Sequence, residues 1–518
     1  MRFYITTPIY YVNDTPHIGH AYSTVVADVL ARYHKLLGHE VKFLTGVDEH
    51  GQKVQNATIK KGIEPQAYCD DMAQNFKAIW KELLIDYDVF FRTTDSFHKK
   101  AVQDCLQELW DKGEIYAEDY DGLYCVSEEI FYTEKDLVNG KTPFGNEVTK
   151  IKEKNYFFKM SKYQEALIAH IEKNPGFIQP EARKNEILGF LKKPLHDLCI
   201  SRPKARLSWG IELPFDKDYV TYVWFDALLN YATGVGYKQK DAAANFQKWW
   251  QETQAVHLLG KDIVTTHAVY WPTMLMALGI ALPKQIFAHG WWMIGGEKMS
   301  KSKGAVVKPL DMKSVIGIDA LRYFLTRDIT LGSDAAFSPE LVVSRVNAEL
   351  ANNFGNLLSR VLNLVDKNFS AEVPKTDPNN FSALSKTMLQ SIEATAPKVK
   401  AAILTMAPQD AVQAVIDMLT DTNKYVGDRA PWKEVKTDLA AAAETLYVGL
   451  ETLRVAGILL SPVMPEKMHT LLRQLGWDKK PSFADAEKFG ALVAGTKISK
   501  GDPLFPRVEW KAEEQVKA

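Results

Sequence analysis

The chain has 518 residues, about three times the ~150 typical of one domain, so two to four domains and at least one large buried core are expected. Hydrophobic residues make up 46% and charged residues 25%, which are globular proportions and exclude a disordered, fibrous or membrane chain. Lys and Arg number 63 against 64 Asp and Glu, a net charge of -1, so this is no pervasively basic nucleic-acid binder and any polyanion must be met by a local patch.

The start of the chain reads strand, loop, helix, strand. Phe3 to Thr7 is the strand and Pro8 to Thr15 the loop. An amphipathic stretch follows, with Tyr22, Val25, Val26, Val29, Leu30, Tyr33 and Leu37 on its apolar side and Gly38 as its stop. Val41 to Thr45 is the second strand. This β-α-β order begins a parallel, doubly wound sheet of Rossmann-like type, in which ligands sit beyond the carboxyl ends of the strands. The rhythm returns with Ala255 to Leu259, an apolar helix from His267 to Leu278, and Gln285 to Ala288. Between the halves, the short β-rich pieces and Gly-containing turns of 114–214 read as a connective domain inserted into the sheet domain. The catalytic domain is then expected at 1–113 and 215–297, with a loop and contact region at 298–340.

After Gly332 the periodicity becomes helical: Leu341 to Leu364, Ala383 to Met406, Pro408 to Tyr425, Leu439 to Leu460 and Pro465 to Leu475. Residues 341–518 are therefore expected to form an α-helical bundle, with Ala371 to Asn380 as a linker and Gly495 to Trp510 as an extended strap. The cysteines Cys69, Cys105, Cys125 and Cys199 form no C-x-x-C pair and are too scattered for a disulfide framework, which fits reduced thiols in a cytoplasmic enzyme. The N-terminus is already strand-like and carries no leader pattern. No apolar run approaches the ~20 residues needed to span a membrane.

Two constellations carry chemistry. Thr15-Pro16-His17-Ile18-Gly19-His20 lies where strand gives way to helix. Thr15 suits an N-cap and Pro16 the first helical position, which puts His17 and His20 in the first turn on one face. The free N–H groups there already favour phosphate, Gly19 permits close approach, and two imidazoles add donors. Taken alone, His-x-x-His could equally be two solvent-facing histidines or a metal pair. The second constellation, Lys298-Met299-Ser300-Lys301-Ser302 with Lys303, follows the last sheet strand. As composition it could be a solvated basic loop, but mobile lysines beyond a strand end can close over a polyphosphate and neutralise charge as it develops.

Together, these two motifs resemble the paired signature of the class I aminoacyl-tRNA synthetases. Within that class the chain is similar to the methionyl-tRNA synthetases over essentially its full length, through Thr7 to Asn13, Gly46 to Gly51, Val223 to Ala227, Gly260 to Ile263 with His267 to Pro272, and Gly290 to Trp292. The resemblance implies a ligase that uses Mg-ATP to convert L-methionine to methionyl-adenylate and then transfers the methionyl group to tRNA(Met), including the initiator. His17, His20, Lys298 and Lys301 are implied to hold the triphosphate as the catalytic set, with Gly19, Gly260, Asp262 and Ser300 completing the ATP site. Asp48 is implied to pair with the methionine ammonium. Pro8, Ile9, Tyr11, Val223, Trp224, Ala227, Leu228, Tyr231, Ile263, His267 and Trp271 are implied to line the side-chain pocket, where aromatic surfaces suit a thioether. Thr266 departs from the pattern, since many relatives carry an aromatic residue there.

The insertion departs as well. Many methionyl-type enzymes hold zinc there with four cysteines, whereas Cys125 stands alone and Cys199 is distant, so no structural zinc is expected. Its ~100 residues are too few for the large editing domain of isoleucyl-type relatives. In the helical part, Asn356, Arg360 and Trp432 match the positions that read the CAU anticodon, where unpaired bases stack on Trp and are hydrogen-bonded on their edges. A monomer is expected. The rivals are a cysteinyl- or isoleucyl-type relative, disfavoured by the missing thiolate site and the short insertion, and a tRNA-binding protein without catalysis, disfavoured by the intact pair of phosphate motifs.

Overall fold

A computed structural model describes residues 1–510 apart from 126–129, 133, 144, 222, 295–296 and 299–307. Its centre is a six-stranded, all-parallel sheet: β1 (Arg2–Tyr11), β2 (Glu40–Asp48), β3 (Val89–Arg92), β4 (Ile178–Gln179), β5 (Ala255–Gly260) and β6 (Gln285–His289). Their spatial order is β3-β2-β1-β5-β6-β4. The order reverses between β1 and β5, and the crevice at such a switch point is where a doubly wound sheet takes its ligand.

Both of the first two strands run further than their apolar cores predict. The β1 register shifts between Thr6 and Ile9, then resumes so that Tyr11 lies opposite Asp48. Pro8 has no N–H to give a ladder, and the shift around it lets the strand continue past it. Ile9, Tyr11 and Asp48 thus reach the carboxyl edge of the sheet rather than a loop. Helix α1 (Ile18–Leu36) returns across the sheet, and Tyr22, Val25, Val26, Val29, Leu30 and Tyr33 are each at most 1% exposed, so the predicted stripe is the buried one. Burying one such side chain stabilises by about 1.5–3 kcal/mol.

The stretch 114–214 contains an antiparallel sheet of Ile130–Tyr132, Ile115–Cys125, Thr149–Phe158 and Leu198–Cys199. It also supplies β4, which pairs in parallel with β6 and forms the edge of the central sheet. The stretch read as an insertion is therefore stitched back into the sheet it interrupts. All four cysteines are free and buried. Among the described residues, no group of three or more His, Cys, Asp or Glu is disposed to hold a metal ion. Nor is any helix among them long and apolar enough to cross a membrane.

Beyond β6 the chain passes through helix α2 (Ile318–Arg327) into the bundle: α3 (Asn356–Asn368), α4 (Ala383–Leu404), α5 (Pro408–Arg429), α6 (Pro431–Thr437) and α7 (Leu439–Leu460). The single long helix expected over 341–364 is instead Pro339–Arg345, a π-helical run Val346–Gly355, and α3. Helix α7 is the bundle's axis, buried almost continuously from Thr445 to Leu460. The strap is tied down by an isolated bridge between Glu372 and Lys497, and by Phe505, whose ring centroid lies 5.7 Å from that of Phe354.

One buried ion pair joins sheet domain and bundle. The Arg322 guanidinium, on α2, donates to Asp28 Oδ2 of α1 at 2.6 Å and to the carbonyls of Leu83, Pro462 and Val463 at 3.1, 3.0 and 2.9 Å. Asp28 Oδ1 in turn accepts the backbone N–H of Asp86 at 2.8 Å. Each of these charged groups is satisfied from several elements at once, the condition under which a buried pair is tolerated.

Candidate active site

The two histidines are arranged differently from the sequence expectation. The cap of α1 is His17 itself, and its Nδ1 accepts the Gly19 N–H at 3.0 Å. His20 Nδ1 accepts the His17 N–H at 3.2 Å. Thr15, the expected cap, is instead engaged by Asp14, whose Oδ1 accepts the Thr15 N–H at 2.7 Å. The consequence is chemical: with both Nδ1 atoms accepting backbone protons, each neutral ring carries its own proton on Nε2 as a donor. The rings stack with centroids 3.8 Å apart, so the donors project as a pair from a helix N-terminus. Gly19 is required by this packing, because a Cβ there would stand 2.9 Å from His17 Cε1.

Across the switch point, β5 ends at Gly260 beside His289 on β6. A Cβ on Gly260 would meet Asp262 Oδ1 at 2.5 Å, so the glycine lets that carboxylate fold over the strand end. Asp262 Oδ1 accepts the Trp291 indole N–H at 3.2 Å. His289 is buried, lies 2.6 Å from Ser23 Oγ of α1 and is held below the usual imidazole range by burial. Gly260 and Asp262 thus stand at the end of β5, the strand that adjoins β1 at the switch point.

The residues assigned to the methionine side chain come together. Ala227 packs with Ile9, Tyr11 and Trp224. Ile9, Trp224 and Ile263 also border the core cluster that contains Leu228, Tyr231 and Trp271. Pro8 is buried within β1, and Asp48 is 4% exposed on the neighbouring strand. Val223 opens the short helix Val223–Leu228. Hydrogen bonds fix the polar edge of this cluster. His267 Nδ1 donates to the Ile263 carbonyl at 3.0 Å, so its Nε2 accepts the Tyr231 hydroxyl at 2.7 Å. Burial pulls His267 down to about 4, so it stays neutral at neutral pH. The hydroxyl of Thr266 donates to the same Ile263 carbonyl at 2.8 Å, which gives the unusual residue a local role in shaping the turn.

Several participants gave no signal in the sequence reading. His257, inside β5, accepts the Trp271 indole N–H at 3.2 Å and lies 2.8 Å from Thr6 Oγ1, while its ring is 4.3 Å from that of Tyr231. Burial holds it well below the ordinary imidazole range. Lys53 Nζ sits 5.2 Å from the centroid of Tyr11, a cation against the pocket's aromatic rim. The 46–51 segment, noted only as a family string, separates into roles. Asp48 faces the sheet edge and Glu49 Oε1 accepts Arg92 Nε at 2.8 Å. His50 Nδ1 meets Asp226 Oδ2 at 2.6 Å.

Of the lysine loop, Lys298 pairs with Met293 in a short antiparallel ladder, while Ser300 and Lys301 lie outside the described residues. In the bundle, α3 packs against α6. Asn356 is exposed at the start of α3, and one turn on Arg360 Nη2 donates to Asn423 Oδ1 at 2.8 Å. Trp432 is 39% exposed, just after Ala430 in the left-handed region at φ 51°. An indole displayed in this way is not part of the core.

Comparison with known proteins agrees with this architecture. Residues 3–150 and 134–362 match the family described as tRNA synthetases class I (M), and residues 373–518 match the anticodon binding domain of methionyl tRNA ligase. A methionine–tRNA ligase of Clostridium perfringens is 45% identical over 98% of this chain and 78% of its own length. One from Caldanaerobacter subterraneus is 42% identical over 99% of this chain and 80% of its own length. The structure of Mycobacterium tuberculosis methionyl-tRNA synthetase in complex with methionyl-adenylate superimposes with a TM-score of 0.93 at 39% identity, covering 98% of this chain and 100% of that one. With a crevice built at the switch point of a parallel sheet and a helical domain behind it, the chain belongs to the methionine–tRNA ligase family of class I tRNA synthetases.

Proposed function

We propose how the named residues divide the two steps of methionine–tRNA ligation. Asp48 pairs with the substrate ammonium, while Ile9, Tyr11, Trp224, Ala227, Tyr231, Ile263, His267 and Trp271 enclose the thioether. Mg-ATP enters as substrate, with its ribose toward Gly260 and Asp262 and its phosphates toward His17 and His20. The methionine carboxylate attacks the α-phosphorus; the bond to the bridging oxygen breaks and pyrophosphate leaves, its charge met by the imidazole donors and by Lys298 and Lys301. A terminal ribose hydroxyl of tRNA then attacks the adenylate carbonyl and AMP leaves. No protein nucleophile is needed, because positioning and charge stabilisation suffice.

The observation that supports this reading is the reciprocal cap of His17 and His20, which commits both Nδ1 atoms to backbone protons and so puts the proton of each neutral ring on Nε2, at the start of α1. Trp432, Asn356 and Arg360 read the anticodon. The same reading takes the chain as a cytoplasmic monomer that serves elongator and initiator methionine tRNAs and whose 114–214 region folds without zinc. ATP–pyrophosphate exchange measured with each amino acid in turn tests the chemistry. Methionine should support exchange far above the rest, and exchange driven best by cysteine or isoleucine would refute the pocket assignment.

A further inference from the structure

Asp226 is 1% exposed and carries a full charge: burial opposes ionisation, but His50 and His98 outweigh it and hold the carboxyl down at about 2. Its two oxygens are divided between two histidines, Oδ2 to His50 Nδ1 at 2.6 Å and Oδ1 to His98 Nε2 at 2.9 Å. A carboxylate only accepts, so both ring nitrogens present N–H to it. His98 is 0% exposed and His50 3%. The ring of His98 meets the Phe91 ring edge-on at 4.9 Å, and its Nδ1 lies 2.9 Å from Thr233 Oγ1. The His50 ring is flanked by Trp209, which donates its indole N–H to the Glu49 carbonyl.

The placement of these partners matters more than their number. His50 is two residues from Asp48, Asp226 sits between Trp224 and Ala227, and Thr233 is two residues from Tyr231. One carboxylate therefore ties together the three segments that present the ammonium partner, the apolar wall and the hydroxylated edge of the methionine site. The helix it anchors, Val223–Leu228, is only six residues long and cannot hold its own direction by backbone bonding. We propose that Asp226 is a positioning residue for methionine, and that its pairing with His50 and His98 sets how tightly the pocket closes on the substrate without touching it. This inference rests on the reading that Trp224 and Ala227 line the methionine site.

The test is Asp226→Asn, which keeps the shape but turns one acceptor oxygen into an N–H2 group facing an imidazole N–H. With the full-length enzyme in ATP–pyrophosphate exchange, the KM for methionine should rise about 10- to 100-fold, by analogy with the loss of hydrogen-bond partners that orient metal ligands. The KM for ATP and kcat should each stay within about 3-fold, the pattern of lost substrate binding rather than lost transition-state stabilisation. Equal changes in both KM values, or a fall in kcat alone, would overturn the proposal, as would a lowered Tm with methionine KM unchanged. If Asp226→Asn does not fold, His98→Gln decides on the same criteria. Trp224→Ala separates the two layers of argument: no effect on methionine KM there refutes the pocket reading, whereas an effect there and none at Asp226 refutes only the positioning role.

Discussion

Replacing Trp432 with alanine should uncouple the two activities of this enzyme. The indole is 39% exposed at the start of α6 and adjoins α3, which carries Asn356 and Arg360. The exposed part of the ring is open to contact from outside the fold. Stacking of a base on an aromatic ring is worth ~1–3 kcal/mol, and at about 1.4 kcal/mol per factor of ten its loss should lower kcat/KM for tRNA roughly 5- to 140-fold. Adenylate formation needs only the sheet crevice, so ATP–pyrophosphate exchange should remain near the parent value. Aminoacylation with methionine tRNA and exchange without tRNA, measured on the same preparation, make the comparison. A parallel fall in both would show that the ring supports the bundle, and an unchanged aminoacylation rate would remove Trp432 from the anticodon site.

Three other expectations are independent of that one. Lys301→Ala should slow exchange by about 10²-fold or more with methionine affinity retained, the cost of losing a preorganised charge-stabilising donor; an unchanged rate removes Lys301 from the mechanism. Breaking the domain-joining pair by Asp28→Asn or Arg322→Met should cost ~3–5 kcal/mol in urea unfolding, with the double variant losing much less than the two singles added, because a lone buried charge is worse than none. Asp319 sits in the first turn of α2, accepts the Lys467 N–H, and is pushed up by burial to about 6. A carboxyl raised above its unfolded value is bound to more protons in the native state between about 4 and 6, so its contribution to stability is fully present below that window and declines as pH rises through it. Asp319→Asn should therefore improve Tm relative to the parent more at pH 8 than at pH 4.5, and the opposite trend would refute the assignment.

The parallel sheet class and the helical domain were readable because they rest on repeated apolar spacing, which many residues vote on together. The Tyr22 to Tyr33 stripe of α1 and the continuous burial of α7 are of this kind. Local features that turn on one atom were not readable. Nothing in the spacing distinguishes Thr15 from His17 as a cap, since both offer an acceptor; the difference is that Asp14 engages Thr15. The continuation of β1 past Pro8 was hidden for a similar reason, because a register shift uses backbone geometry that leaves no pattern of hydrophobicity. β4 has only two residues, Ile178 and Gln179, too few for any periodicity, and it is defined by its partner β6. Motif strings marked out segments without dividing their labour: in 46–51, Glu49 and His50 are consecutive, yet Glu49 is held by Arg92 and Thr94 and His50 by Asp226, in different parts of the chain.

That division of labour bears on how a pocket can select a thioether. Two carboxylates beside it stand behind the lining: Asp226 is enclosed by His50 and His98, and Glu49 by Arg92 and Thr94. The imidazoles at its polar edge, His257 and His267, are kept neutral by burial and have their tautomers fixed by Trp271, by the Ile263 carbonyl and by Tyr231. An apolar pocket alone separates side chains differing by one methylene only about 10- to 200-fold. A side chain bearing a charge would meet a steeper barrier in such a pocket, because the buried donors and acceptors around it are already committed to one another and an intruding ion would stay unpaired. If the proposed pocket is the methionine site, selectivity against charged amino acids rests on the hydrogen bonds from Thr6 through His257 to Trp271 and from Tyr231 through His267 to Ile263, and selectivity among apolar ones on shape.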